Sequence, residues 1–322
     1  MSGPGPGARL AAFKRRRGSG MVSDNSVDTQ DLAALREELW RGRGIDTAEQ
    51  RLKSCRDALE LAYVAEALGD WHDKPAFLDR WVAERPGTGP LLVRGIHGVK
   101  WAWRARGAGW KPKDWDEFQR RLKVAHADLT NAATRASRDA ISLSWMIACC
   151  RGLQSLQEAR AAFAEASRRV PHFRPAHSAM LVNCSPRWFG TREKLSSFVD
   201  ESLAGAPESS GVQTLACEMI EYLGSSSEEV KSACKDMSNR SRILEAFARY
   251  SGTLLAGRGH DTLRNRDWFA NALWRIGELA SARILFEWIG DARQEKPWVQ
   301  AGPMFDWLLN DFKRARSACL GV

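Results

Sequence analysis

Between Ser144 and Pro207 the chain states one pattern twice. Ala159, Phe163, Ala166 and Pro171 follow the form A-x3-F-x2-A-x4-P, and Leu195, Phe198 and Pro207 repeat its core. Phe198 follows Phe163 by 35 positions and Pro207 follows Pro171 by 36, the length of a two-helix repeat unit. Ala159, Phe163, Ala166 and Val170 fall at i, i+4, i+7 and i+11, one stripe of a helix. The alanines let a neighbouring helix come close, and the phenylalanine fills the space between layers. Glu158, Arg160, Glu165, Arg168 and Arg169 are expected on the solvated side. Pro171 cannot donate a backbone hydrogen bond and stops the helix. Upstream, Trp145, Met146, Ala148 and Cys149 form a second apolar helix that Gly152 ends. The unit therefore runs helix, turn, helix, proline. Such a pair cannot bury both apolar faces alone and must stack on its neighbours. In that setting Phe163→Ala is expected to cost about 3–5 kcal/mol.

The spacing of Ala159, Phe163, Ala166 and Pro171 resembles the second helix of the tetratricopeptide (TPR) repeat. Trp145 and Ala148, in the first helix, do not fall at that family's usual distances, so the likeness is TPR-like. The phrase from Pro171 to Pro207 is also similar to an uncharacterised family of bacterial TPR-like proteins, through Pro171, His172, Ala176, His177, Pro186, Trp188, Gly190 and Phe198. The likeness extends over about residues 28 to 312. It implies an architecture and carries no reaction.

The expected fold class is all-α, a TPR-like α-solenoid of five to six antiparallel helix pairs with a C-terminal capping helix. Residues 1–27 are expected to be a disordered basic tail, 28–57 an N-terminal helical segment and 58–318 the repeat domain. Helices are expected at about 58–68, 75–85, 91–106, 115–135, 140–152 and 156–169, with a further pair over 174–204. Beyond these, 213–222, 228–237 and 240–256 read as helices. GRGHDTLRNR (257–266) reads as a loop, 267–277 and 279–289 as a last pair, and 304–318 as an amphipathic cap. Whether residues 240–265 interrupt the repeats stays open at this level.

Composition narrows the classes. Three tyrosines accompany fourteen tryptophans, and alternating apolar–polar stretches are few, which argues against sheet. No apolar run is long enough to span a bilayer, and the start lacks the order of a secretory signal; the expected location is the cytoplasm, without membrane contact. The seven cysteines lie mostly among alanines and leucines, with no C-x2-C pair, which reads as buried thiols rather than a zinc framework. The net charge of +9 is concentrated in Arg9, Lys14, Arg15, Arg16 and Arg17. Met21 follows that cluster, so residues 1–20 are a tail of little consequence, a gene-start artefact or a functional basic arm.

Candidate contact residues fall in two places. In 100–115, Lys100, Arg104, Arg106, Lys111 and Lys113 interleave with Trp101, Trp103, Trp110 and Trp115, a mixture that anchors acidic peptides or stacks on bases while neutralising phosphates. The competing assignment makes these tryptophans core and the charges a solvated rim. His172 and His177 flank Pro175 near Arg187 and Trp188, either as contact residues or as packing between repeats. His97 and His126 read as lone packing histidines. No hydrolase, metalloprotease, P-loop or dinucleotide motif is present. No catalytic, cofactor-binding or metal-ligating residue and no cofactor is expected. The first functional expectation is a scaffold binding a protein or peptide, without catalysis of its own. The alternative is a nucleic-acid-associated regulator using segment 100–115 and the arginine tail.

Overall fold

A computed structural model describes residues 30–107, 114–137, 139–224, 227–257, 260–290, 297–298 and 305–321. Among them are sixteen α-helices and no strand. The first six are α1 (Gln30–Trp40), α2 (Ile45–Lys53), α3 (Ala58–Gly69), α4 (Ala76–Glu84), α5 (Thr88–Arg106) and α6 (Trp115–Arg135). The repeated phrase forms α7 (Ile141–Gly152), α8 (Leu156–Arg169), α9 (Arg174–Asn183) and α10 (Arg192–Gly205). A 3-10 turn (Gly211–Thr214) leads into α11 (Leu215–Leu223), α12 (Ser227–Lys235), α13 (Met237–Ala256), α14 (His260–Arg275), α15 (Leu279–Ile289) and α16 (Phe305–Leu320). The expected basic tail lies outside the described residues.

Side-chain caps set several of these boundaries. The Asp57 carboxylate accepts from the Leu59 and Glu60 amides at the start of α3, and Asp114 accepts from Glu117 at the start of α6. Thr191 and Asp236 cap α10 and α13 in the same way. Each relieves amides that the first turn leaves unpaired. Pro75 precedes α4, and Pro171 lies in the turn between α8 and α9.

Helices α3, α5, α7, α9 and α11 pack each on the next, α11 packs on α14, and α14 returns to α3. A second layer lies against this circuit: α6 on α5 and α7, α8 on α7 and α9, α10 on α9 and α11, and α13 on α11 and α14. α15 packs on α14, and α16 packs on both. α1 and α2 rest on α3, and Leu32, Leu35 and Leu39 share its apolar core. The return of α14 is sealed by Arg264, whose guanidinium meets the Glu66 carboxylate at 3.1 Å across 198 residues.

Two apolar cores meet inside α9. One holds the buried side chains from Leu32 to Met180, the other those from Leu181 to Cys319. Phe163 and Phe198, the paired aromatics of the repeated phrase, touch edge-to-face at 5.6 Å. Both are partly buried rather than enclosed.

Two expectations are corrected. Residues 260–266, read as loop, are the first two turns of α14. Thr262, Asn265 and Arg266 are buried there, so the first half of this helix hides a polar face and its inward positions give no apolar signature. Arg169, expected on a solvated side, is largely buried and donates to three backbone carbonyls. No helix among the described residues is long and apolar enough to cross a membrane.

Candidate aromatic–guanidinium site

The candidate residues of segment 100–107 divide between two faces of α5, because Trp101 and Trp103 lie two positions apart on a helix. Trp101 turns toward α6. Its ring stacks on His97 at 5.9 Å and lies 3.4 Å beneath the Arg121 guanidinium. The shallow cleft there is lined by Lys74, Arg94, Arg120 and Arg121. Each of these cations already has a carboxylate: Lys74 and Arg94 on Asp79, Arg94 also on Asp128 at 2.8 Å, and Arg120 and Arg121 on Glu117. Lys100 and Arg104 both pair with Asp70, and Arg104 also donates to the Trp71 carbonyl. Burial works against the Asp70 charge, but these two cations outweigh it and hold its pKa below the ordinary value.

Trp103 turns the other way and meets Trp188 edge-to-face at 5.4 Å, across 85 residues of chain. The turn after α9 makes this meeting. Trp188 donates its amide to Ser185, Phe189 to Asn183 and Gly190 to Ser185. Gly190 is required in that turn, because a Cβ there would overlap the Cys184 carbonyl. Two guanidinium groups sit over the indole pair. Arg106 lies 5.7 Å from each ring, and Arg151, at the end of α7, lies 5.1 Å from Trp103 and 5.5 Å from Trp188. Neighbouring Gly152 leaves room for Leu122 and Phe118 against the Trp103 ring.

Arg151 differs from the cations on the Trp101 face. Its contacts are neutral oxygens, the Ala179 carbonyl at 3.4 Å and the Asn183 side chain at 3.3 Å, and no carboxylate among the described residues pairs with it. Burial pulls its pKa down to about 10, with the distant Tyr222 giving a small opposing push. Arg151 Nε and Trp103 Nε1 are buried and have no acceptor among the described residues. One aromatic cluster thus holds two donors without acceptors and a cation without a carboxylate among the described residues. Such groups are costly to bury unless an acceptor, ideally an anion, reaches them.

The structure brings together Trp103, Arg106 and Trp188 of the expected residues and adds Arg151, which the sequence reading left out. The only signal for Arg151 was a cation closing an apolar helix just before Gly152. Exposed Arg187 donates to the Gly224 carbonyl, close to the cluster in sequence but not over its rings. Trp110, with Lys111 and Lys113, lies outside the described residues.

The histidine pair belongs to packing. His177 is buried against Phe163 at 5.0 Å and Phe198 at 6.1 Å, and its Nδ1 lies 3.2 Å from the Ser202 hydroxyl. His172 occupies the turn between α8 and α9 with φ +56° and stacks on His177. Burial lowers the His177 pKa to about 4, His172 adding a smaller push, so the ring is neutral at pH 7.

A third polar cluster has its charges paired, though Asn265 Oδ1 has no partner among the described residues. Buried Arg174 meets Glu218 at 2.7 Å, Asp261 at 3.4 Å and the Thr214 hydroxyl at 3.1 Å. Asn265 donates to Tyr250 and Asp261 at 3.0 Å each. This network ties α9 and α11 to α13 and α14 at the seam between the two cores.

Compared with protein-family models, curated proteins and solved structures, the chain matches none. The geometry of its own side chains therefore carries the functional reading.

Proposed function

We propose that this chain is a TPR-like helical-repeat scaffold that binds a protein or peptide segment in the cytoplasm and has no catalytic activity of its own. The contact point is the cluster of Trp103, Trp188, Arg106 and Arg151, and the segment it takes presents a carboxylate beside an apolar or aromatic group. The observation that carries this is half-buried Arg151, whose guanidinium lies over two indoles and pairs with no carboxylate among the described residues, beside a Trp103 Nε1 that has no acceptor among them. A carboxylate seated against the Arg151 guanidinium offsets its charge, while the indoles supply apolar contact.

Nucleic acid is the alternative partner. The cations of the Trp101 face favour it less, since each is already engaged by Asp70, Asp79, Asp128 or Glu117 and is not free for phosphate. The test is a fluorescence-anisotropy screen of labelled acidic peptides, alongside single-stranded DNA and RNA, against the full chain and a chain starting at Met21. Acidic peptides are expected to bind, with Arg151→Gln and Trp188→Ala each weakening binding tenfold or more, about 1.4 kcal/mol. Peptide binding indifferent to both variants refutes the site. Nucleic-acid binding that falls steeply with salt, without peptide binding, establishes the alternative.

A further inference from the structure

Three side chains from three helices converge on the side of α7 that faces the second layer. His126 comes from the middle of α6, Cys150 from the last turn of α7 and Glu158 from the first turn of α8. Cys150 Sγ lies 3.8 Å from Glu158 Oε2, and His126 Nε2 lies 3.9 Å from that same oxygen. One ligand atom from each of the three lies within 4.8 Å of the others. We propose that His126, Cys150 and Glu158 form a binding site for a divalent transition-metal ion of the zinc type, with a water molecule as fourth ligand.

The distances suit that ion. Zinc binds imidazole nitrogen, thiolate sulfur and carboxylate oxygen at about 2.0–2.3 Å, so the ligand atoms of a tetrahedral site stand about 3.3–3.8 Å apart. The two separations that involve Glu158 already lie at that spacing; the third, between His126 and Cys150, is within 4.8 Å and exceeds it by about 1 Å, which side-chain rotation of half-buried His126 takes up. One nitrogen, one sulfur and one oxygen donor select a borderline-soft metal over magnesium or calcium, which take oxygen ligands.

The Cys150 thiol donates a long hydrogen bond to Glu158, and the third group has no such partner. His126 Nε2 is buried and has no hydrogen-bond partner among the described residues. At 3.9 Å it is too far from Glu158 for a hydrogen bond. Glu158 pairs with no lysine or arginine among the described residues, whereas Glu165, two turns further along α8, is held by Arg168 and Arg169. The backbone fixes the ligand positions. The Cys150 carbonyl accepts from the Ser155 amide at 2.9 Å, closing the turn that sets Glu158 beside the thiol. The neighbouring Cys149 points elsewhere and donates to the Leu122 carbonyl. On binding, the Cys150 S–H bond breaks, the sulfur–metal bond forms and one proton passes to solvent, so affinity rises with pH.

The test is a titration of the chelator-treated full chain with Co2+, followed by Zn2+. A thiolate-to-cobalt charge-transfer band saturating at one ion per chain, with the visible bands of a tetrahedral site, is expected, and Zn2+ should bleach both. Cys150→Ser should abolish the band, and Cys55→Ser, which removes a partly exposed thiol elsewhere, should retain it. His126→Gln and Glu158→Gln should each weaken cobalt binding tenfold or more. These two lie at half-buried and exposed positions, so they decide the matter if Cys150→Ser does not fold. Absence of the band, its survival in Cys150→Ser, or unchanged cobalt affinity in both His126→Gln and Glu158→Gln overturns the proposal.

Discussion

Two buried histidines make this protein sensitive to mild acid. His97 donates from Nδ1 to the Gly69 carbonyl at 3.3 Å, while its Nε2 has no partner among the described residues. Burial lowers its pKa to about 4, and His177 is lowered to about 4 in the same way. Their native values lie below the unfolded value of 6.5. The unfolded chain therefore binds more protons between about pH 6.5 and pH 4, and stability falls as the pH drops through that window. At about 1.4 kcal/mol per pH unit, each histidine withdraws roughly 3 kcal/mol by pH 4. Urea midpoints measured from pH 7.5 to 4 should fall with a slope that His177→Gln reduces. A flat profile over that range would show that these rings are hydrated. Phe163 calls for a revised expectation at the same scale. It bridges Phe198 and His177 but is only partly buried, so Phe163→Ala should cost about 3 kcal/mol, the lower end for an aromatic truncation. A melting temperature within a degree or two of wild type would remove it from the core.

At the scale of helices, arginine is the recurring fastener. Arg169, at the end of α8, donates to the Ala133 carbonyl in the last turn of α6 and to the Ala136 and Asp139 carbonyls just after it, at 2.9 to 3.0 Å. Arg135 donates to the Pro86 carbonyl after α4, and Arg249 to the Leu203 and Ala206 carbonyls ending α10. Arg36 does the same for the Ala67 and Asp70 carbonyls ending α3. The last carbonyls of a helix have no intrahelical donor and carry the negative end of its dipole, so a cation from a neighbouring helix stabilises both. Much of the chain's positive charge thus serves its own backbone, which is why charge counting overstates the case for nucleic acid. Arg169→Ala should destabilise by about 2 kcal/mol through three orphaned carbonyls, and Arg169→Lys should recover only part, lacking the planar fork. A lysine cannot hold those carbonyls and also keep the contact that Arg169 Nε makes to Glu165; chemical denaturation of the two variants measures both effects. Close packing is equally local: Gly95 and Gly98 on α5 let α6 approach until Leu129 and Ala125 fill the space a Cβ would take.

For the whole molecule, the return of α14 to α3 is the feature that an open stack would lack. Glu66 and Arg264 join two helices that lie far apart in the chain. With Arg264→Lys, a zero-length carbodiimide reagent should link positions 66 and 264 within one chain, detected by peptide mass spectrometry. Arg264→Ala should speed amide exchange in α3 as well as in α14. Exchange confined to α14 would mean that the two ends are energetically independent. The Arg174–Glu218–Asp261 network acts at this scale too, since it binds α9 and α11 of the circuit to α14 where the two apolar cores meet.

The sequence by itself determined the local structure. Apolar positions spaced by three and four, and prolines at 75, 86, 171 and 207, announce helices and their ends, because those signals act over one or two turns. It also marked Trp103, Arg106 and Trp188 as candidates from their types. Only the tertiary structure decided which of them meet, since an indole at 103 and one at 188 share a cluster only after α5, α7 and α9 stack. Arg151 was illegible for that reason, and so was the grouping of His126 with Cys150 and Glu158, three ordinary helical residues until three helices pack. The polar first half of α14 was misread because its buried face is made of Thr262, Asn265 and Arg266. Hydrophobic periodicity is silent where a helix is held by hydrogen bonds and ion pairs to distant segments.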